Sequence, residues 1–320
     1  MTGPVPTRLT PTTERTESCA GSERAHAMTV DVEDYFQVEA LADRIPRHSW
    51  NSIPRRVEAN IDRLLQLFAD NHVSATFFTL GWIAERHPEM IHRIVQAGHE
   101  LASHGYDHIR VDNLSPTRFR DDVHRTKAII EDIAGASVLG YRAPTFSIGA
   151  RTPWAYDILE QEGYFYSSSI YPIRHDLYGQ ADAPRKPFRP GAGALWEFPL
   201  TTRRLFGHNI PCAGGGYFRL LPYSASRSNL RHIHFAEDLP CIFYIHPWEI
   251  DPGQPRVSGI SMRTRLRHYI NLDLTAKRLS RLVRDFTWTS MATAFTGLIY
   301  SPVRAQSTIQ VQQNCVSRVS

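Results

Sequence analysis

Ser103-His104-Gly105-Tyr106-Asp107-His108 sets two imidazoles four residues apart, directly after His99-Glu100-Leu101-Ala102, which reads as a strand end. Neutral imidazoles at that spacing can converge on one transition-metal cation. The serine before the first histidine and the glycine after it place the pair on a loop, not on a solvated helix face. Far upstream, Ala27-Met28-Thr29-Val30-Asp31-Val32-Glu33-Asp34-Tyr35-Phe36 is an apolar run that breaks into three carboxylates. Carboxylates this close raise one another's pKa, and a cation relieves the repulsion. One carboxylate with two histidines is a common hydrolytic metal set that leaves a position open for water.

Two further positions extend the pattern. Leu139-Gly140-Tyr141-Arg142-Ala143-Pro144-Thr145 puts an arginine just after a short strand, and Cys241-Ile242-Phe243-Tyr244-Ile245-His246-Pro247-Trp248 is an apolar strand ending in histidine. Asp31, His104, Arg142 and His246 thus each stand at the C-terminal end of a predicted strand, where α/β barrels carry their chemistry.

The elements that must hold them alternate in type. Val57, Ile61, Leu64, Leu65 and Phe68 recur at helical spacing between Pro54 and Ala69. Ala75–Leu80 reads as a strand, Pro88 opens a helix that ends at Gly98, and Ser115-Pro116 starts a long helix to about Ile133. Val138–Tyr141 is a strand, Thr152-Pro153 starts a helix ending near Gly163, and Tyr164–Ser167 is the next strand. This alternation predicts an α/β fold with a parallel sheet closed or partly closed into a barrel. Tyr171–Gly216 is rich in Pro and Gly and reads as a long insertion, a substrate-facing lid or groove wall. The chain returns to the barrel over Ala236–Ile245. An amphipathic helix follows over Thr275–Phe286 with Asp273 as its cap, after a shorter apolar turn at Leu266, Tyr269 and Ile270.

Composition sets the outer limits. The chain has 320 residues, 42% of them hydrophobic, and a net charge of +4 with its basic residues spread out, so no nucleic-acid partner is expected. Arg263, Arg265, Arg267, Lys277, Arg278, Arg281 and Arg284 make the C-terminal third more basic, suited to a solvated helix face or to an anionic polymer or membrane surface. Four scattered cysteines (Cys19, Cys212, Cys241, Cys315) argue for a reducing compartment and against structural disulfides. No stretch is apolar for long enough to span a membrane, and Met1–Arg24 lacks the apolar core of a secretory signal, so the expected location is cytoplasmic.

With these motifs in this order, the chain resembles the polysaccharide deacetylase (NodB-homology) family of carbohydrate esterases, from about Ala27 to about Asp251. The segment Asp31–Phe36, with His246-Pro247-Trp248-Glu249-Ile250-Asp251-Pro252 and the basic helical tail, resembles a narrower branch associated with exosortase-linked exopolysaccharide loci of Gram-negative bacteria. The resemblance implies a distorted (β/α) barrel: one catalytic domain over 27–296, with motifs within 31–251, a long insertion and a C-terminal helical extension over 252–296. Disordered ends are expected at 1–26 and 297–320. It further implies a divalent metal, Zn²⁺ first with Co²⁺ or Ni²⁺ also suited, held by Glu33, His104 and His108. Asp31 would be the general base, Arg142 its clamp and His246 the general acid. The Thr145 backbone N–H would be an oxyanion donor. The substrate would be an acetylated polysaccharide or oligosaccharide losing N-acetyl groups from hexosamines.

The chain departs from the family in two places. Val32 fills the slot of the usual second aspartate, so the acidic ligand is Glu33 or Asp34; in an extended segment residues 31 and 33 share a side, which favours Glu33. The fourth-motif region, Tyr164–Ser169, has no carboxylate to orient His246; Glu197 is the first candidate substitute and Glu249 the second. Tyr35, Phe36, Tyr217 and Trp248 are candidates to stack on sugar rings, or core residues. Two rival readings stay open: a small-molecule amide or ureide hydrolase of the same fold, and a non-catalytic carbohydrate-binding relative.

Overall fold

The computed structural model describes residues 24–301. The expected disordered ends fall mostly outside that range; within it, a strand already begins at His26 and a short helix covers Thr296–Ile299. The elements run β1 (His26–Val32), α1 (Val57–Ala69), β2 (Thr76–Thr79), α2 (Gly81–Arg86), α3 (Pro88–Gln96), β3 (Glu100–Ser103), α4 (Pro116–Ala134), β4 (Gly140–Tyr141), α5 (Trp154–Gln161), β5 (Tyr166–Ser167) and β6 (Trp196–Glu197). They continue with β7 (Thr202–Leu205), β8 (His208–Pro211), α6 (Gly215–Leu220), α7 (Tyr223–Ala236), β9 (Ile242–Ile245), α8 (Met262–Tyr269), α9 (Leu272–Asp285), β10 (Trp288–Thr289), α10 (Met291–Ala294) and α11 (Thr296–Ile299).

The main sheet is parallel in the order β9-β1-β2-β3-β4-β5-β6, with β10 added beside the start of β1. Every residue of β1 is buried, as a strand covered on both faces requires. On one side α1 contributes Val57, Ile61, Leu64 and Phe68, all buried; each such side chain is worth about 1.5–3 kcal/mol of burial. The sheet curls without closing between β6 and β9. There Gly214 bridges Tyr244 in parallel, and the Ile242 N–H donates to Thr201 Oγ1 at 2.7 Å. Gly214 sits at φ 125°, and a Cβ there would land on the Tyr244 carbonyl oxygen, so only glycine fits this seam. The result is the distorted, partly open (β/α) barrel expected from the sequence.

Register is what positions the site. Val32 pairs with Thr79, Thr79 with Ser103, Ser103 with Tyr141, and Tyr141 with Ser167. One rung across the sheet therefore ends five strands, and Glu33, His104, Arg142 and Ser168 follow it at once. On the other side of β1, Ile245 pairs with Val30, which brings His246 level with Asp31.

Several elements differ from expectation. The 171–216 segment carries β6, which extends the sheet, and the antiparallel β7–β8 hairpin. The helices α2 and α7 and the strand β10 carry no strong sequence signal and were not expected. Asp273 is not the cap of α9: Asn271, left-handed at φ 52°, occupies that position and Asp273 lies in the first turn.

Candidate active site

Glu33 leaves β1 buried, and its Oε1 lies 3.1 Å from His104 Nε2 and 3.0 Å from His108 Nε2. Ligand-type atoms from these three residues all fall within 4.8 Å of one another, the one group of three such donors among the described residues. His104 Nδ1 is 2.8 Å from the Arg142 carbonyl. Donating there fixes the tautomer and leaves the Nε2 lone pair for a cation. His108 sits at φ 59°, a left-handed conformation that costs about 1–2 kcal/mol. Arg47 holds it by donating from Nη2 to the His108 carbonyl (2.8 Å) and from Nε to the Asp107 carbonyl (2.8 Å). Asp122 on α4 accepts the Tyr106 N–H between the two histidines, with both carboxylate oxygens near 3.1 Å.

Burial pushes the Glu33 carboxyl up, but the His108 and His246 charges and the His104 and His108 hydrogen bonds outweigh it, and the group is held well below the usual carboxylate range. A buried anionic oxygen facing two imidazole nitrogens is a donor set that fits Zn²⁺, Co²⁺ or Ni²⁺. Asp34 belongs elsewhere. Its Oδ1 accepts the Tyr35 N–H (2.8 Å), and its Oδ2 accepts the N–H groups of Arg56 (2.6 Å) and Val57 (3.0 Å), satisfying the first turn of α1. Of the two acids left open by the sequence, only Glu33 faces the histidines.

Asp31 stands beside this cluster. Arg142 Nη1 donates to its Oδ1 at 2.6 Å and to Thr29 Oγ1 at 2.8 Å. The guanidinium is fully buried. Its Nε donates to the Ser168 carbonyl and its Nη2 to Ser168 Oγ, both at 3.1 Å, and it lies over the Phe78 ring at 4.0 Å. Fixed on four sides, Arg142 leaves Asp31 Oδ2 directed toward His246, whose Nε2 is 4.0 Å away and 3.9 Å from Glu33 Oε1. Thr145 and Phe146, just past Arg142, are both left-handed (φ 55° and 48°), backbone strain of the kind that gathers at functional loops.

The carboxylate partner of His246 is Glu249, not Glu197. Pro247–Ile250 winds one 3₁₀ turn, and Glu249 Oε2 reaches back to accept the His246 N–H (3.0 Å) and to meet Nδ1 at 3.2 Å. Glu197 is buried, but its Oε1 accepts the N–H groups of Ser169 (2.8 Å) and Ile170 (2.9 Å), which shape the turn after β5. Glu249 is gripped in turn by Arg219 of α6, which donates from Nε at 2.7 Å and from Nη1 to the His268 carbonyl at 2.7 Å. Burial works against the Glu249 anion, yet Arg219 and then His246 bring its pKa down to about 2. Burial likewise works against the charged His246, but Glu33, Glu249 and Asp31 together raise it to about 9. Sequence reading missed Arg219 and Ser168, which have no local signal, and Thr29, whose place two residues before Asp31 on the same face of β1 was the one available sign.

The aromatic candidates for sugar stacking are mostly core. Tyr35 and Phe36 are buried among Trp50 and Trp82. Trp248 is buried between the His246 ring (5.2 Å) and the His268 ring (4.4 Å). Tyr217 is half-buried. Cys212 and Cys241 are buried free thiols. No described helix is long and apolar enough to cross a membrane.

Residues 47–164 match the family model described as polysaccharide deacetylase, and residues 168–296 match one described as a domain of unknown function (DUF3473). His104, His108 and Arg142 fall in the first segment and His246 in the second, while Asp31 and Glu33 precede both. A peptidoglycan deacetylase from Helicobacter pylori is 33% identical over 113 residues, covering 35% of this chain and 38% of that protein. A chitooligosaccharide deacetylase from Sinorhizobium fredii is 37% identical over 146 residues, covering 44% of this chain and 60% of that protein. The chain thus spans about two-fifths to three-fifths of the length of these relatives. A crystal structure from Mycobacterium smegmatis, provisionally named a polysaccharide deacetylase, shares the fold with a TM-score of 0.56 at 21% identity, over 91% of this chain and 95% of that one.

Proposed function

We propose that the chain is a metal-dependent hydrolase that removes N-acetyl groups from a hexosamine-containing polysaccharide, a reading supported by the match of residues 47–164 to the polysaccharide deacetylase model. The observation that carries this reading is the juxtaposition of the Glu33, His104 and His108 donors with an arginine-clamped Asp31 and a carboxylate-paired His246, whose Nε2 lies 4.0 Å from Asp31 Oδ2 and 3.9 Å from Glu33 Oε1. A divalent cation bound by the three donors would polarise the acetyl carbonyl and offset the charge that develops on its oxygen.

The chain's own residues supply the proton transfers. Asp31 Oδ2 takes the proton of the attacking water, and Arg142 keeps the carboxylate oriented for it. His246 Nε2 delivers a proton to the amine nitrogen as the C–N bond breaks, giving acetate and a free amine. Glu249 favours the protonated imidazole, and Arg219 holds Glu249 in place. A role in exopolysaccharide synthesis rests on the resemblance of Asp31–Phe36 and His246–Pro252 to that branch. The test is acetate release from N-acetylglucosamine oligomers of graded length, with chelation and Zn²⁺ add-back. Release that stops on chelation, returns with metal and rises with oligomer length is expected. Full activity after chelation, or hydrolysis of small cyclic amides alone, would overturn the proposal.

A further inference from the structure

Strand register sets His246 level with Asp31, but it does not extend to the turn that follows, because the chain leaves the sheet at Ile245. That turn, Pro247–Ile250 with Asp251 at its end, is stiff in itself. The Glu249 N–H donates to the His246 carbonyl (3.0 Å) and the Asp251 N–H to the Trp248 carbonyl (3.2 Å). Gln254 Nε2 spans the Trp248 and Asp251 carbonyls at 2.8 and 3.1 Å. A turn braced in this way moves as one piece, so whatever grips its far end also places His246 and Glu249.

The far end is gripped from α1. Asp251 is buried, and Arg56, the residue just before that helix, donates to it twice: from Nε to Oδ2 (2.5 Å) and from Nη2 to Oδ1 (2.9 Å). Such a fork fixes direction as well as distance. Asn60 Nδ2, one helical turn on, donates to Oδ2 at 3.3 Å, and the Gly253 N–H to Oδ1 at 3.2 Å. Burial works against the Asp251 anion, yet Arg56 and Asn60 hold its carboxyl below the ordinary value. The Arg56 backbone is pinned too, since its N–H donates to Asp34 Oδ2 at 2.6 Å, and Asp34 follows Glu33 directly. One residue thus ties the segment that carries Glu33 to the turn that begins at His246. The gap across that tie is the working gap, with His246 Nε2 at 3.9 Å from Glu33 Oε1 and 4.0 Å from Asp31 Oδ2.

We infer that Arg56 is a positioning residue that, through Asp251, sets the separation between His246 and the Glu33 donor set. The inference deepens the deacetylase reading and rests on it for the role of His246. Arg56→Ala should lower kcat about 10- to 100-fold, the scale of an ångström's misplacement, with KM and bound metal near the parent's. Added guanidinium should restore much of that loss, because the Arg56 side chain is 36% exposed and the carboxylate it leaves behind stays in place. Arg56→Ala/Asp251→Asn spares the fold an unpaired buried carboxylate and should show the same loss without rescue. The ¹H–¹⁵N signals of the His246 imidazole, recorded without substrate, should move in both variants and return with guanidinium in the first alone. A loss that tracks the melting temperature or the bound metal, no guanidinium rescue of Arg56→Ala, or an unmoved His246 signal would overturn the inference. A parent that releases no acetate would instead overturn the deacetylase reading, and the His246 signal would still decide whether Arg56 places that ring.

Discussion

Glu249→Gln should move the basic limb of the pH–rate profile. Glu249 Oε2 stands 3.2 Å from His246 Nδ1, in a pair whose carboxylate is buried and whose imidazole is partly exposed. A hydrogen bond to a charged partner is worth about 1.5–3 kcal/mol, and one pKa unit is 1.36 kcal/mol, so losing the charge should lower the His246 pKa by about 1–2 units. From the parent value of about 9, the protonated acid would then be lost through roughly pH 7–8. The expected penalty in kcat is less than about twofold at pH 6 and about 5- to 50-fold at pH 9, as the protonated fraction dictates. A cation on Glu33 shifts both profiles to lower pH and leaves their separation. The assay is initial acetate release from an N-acetylglucosamine oligomer between pH 5.5 and 10, with metal content measured in parallel. The single replacement also strands the buried Arg219 charge, which costs about 3–5 kcal/mol when a buried pair is broken. The double variant Arg219→Met/Glu249→Gln removes both charges and should recover stability without restoring the limb. A limb that stays in place, or an equal loss at every pH, would refute the reasoning.

Asp31→Asn should abolish turnover with metal content near that of the parent, whereas Glu33→Gln should empty the metal site, both read by elemental analysis beside acetate release; the reverse pattern would exchange their roles. Stability should fall steeply on the acid side. His26 and His268 are held at about 3 and His99 at about 4, chiefly by burial. The unfolded chain therefore binds protons below about pH 6.5 that the native chain refuses, and stability is lost as pH falls from there toward 4. Three such protons give a slope of up to about 4 kcal/mol per pH unit, measurable by urea melts at pH 6.5, 5.5 and 4.5. His99→Gln should reduce that slope by about one proton's worth, and an unchanged slope would count against the assignment.

The geometry of the candidate site was legible where a polar residue interrupts an apolar strand, because sheet register carries such residues to one rim. Glu33 was favoured over Asp34 by the resemblance and by the alternation of an extended strand, and Asp34 proved to be occupied by the start of α1. The partner of His246 was misjudged for a local reason. Glu197, the first candidate, spends its Oε1 on the backbone N–H groups of Ser169 and Ile170. Glu249, the second, is folded back onto His246 by the 3₁₀ turn after Pro247, a turn that strand and helix periodicity do not reveal. Arg219 was not legible at all, since its contact with Glu249 arises from the docking of α6 against that turn. The strand β6 and the β7–β8 hairpin were hidden by a Pro- and Gly-rich stretch whose strands are too short for their periodicity to show. The helix α7 was hidden because its buried Tyr223, Ser226, Leu230 and Ile233 mix polar with apolar residues.

The strand that carries Asp31 and leads into Glu33 is zipped on one side to β2, its near neighbour, and on the other to β9, so that the His26 ring meets Cys241 across 215 residues of chain. Closing a loop of that length costs on the order of 4–5 kcal/mol of chain entropy, which no contact repays until the strands have met. His104, His108 and Arg142 can be placed by the early run of βα units, but His246 arrives only with that final closure. The proposed metal ligands and the proposed base therefore belong to an assembly stage earlier than the proposed acid. On the roles proposed above, a chain halted before β9 docks would carry the Glu33, His104 and His108 donors without His246, the group proposed to protonate the leaving amine.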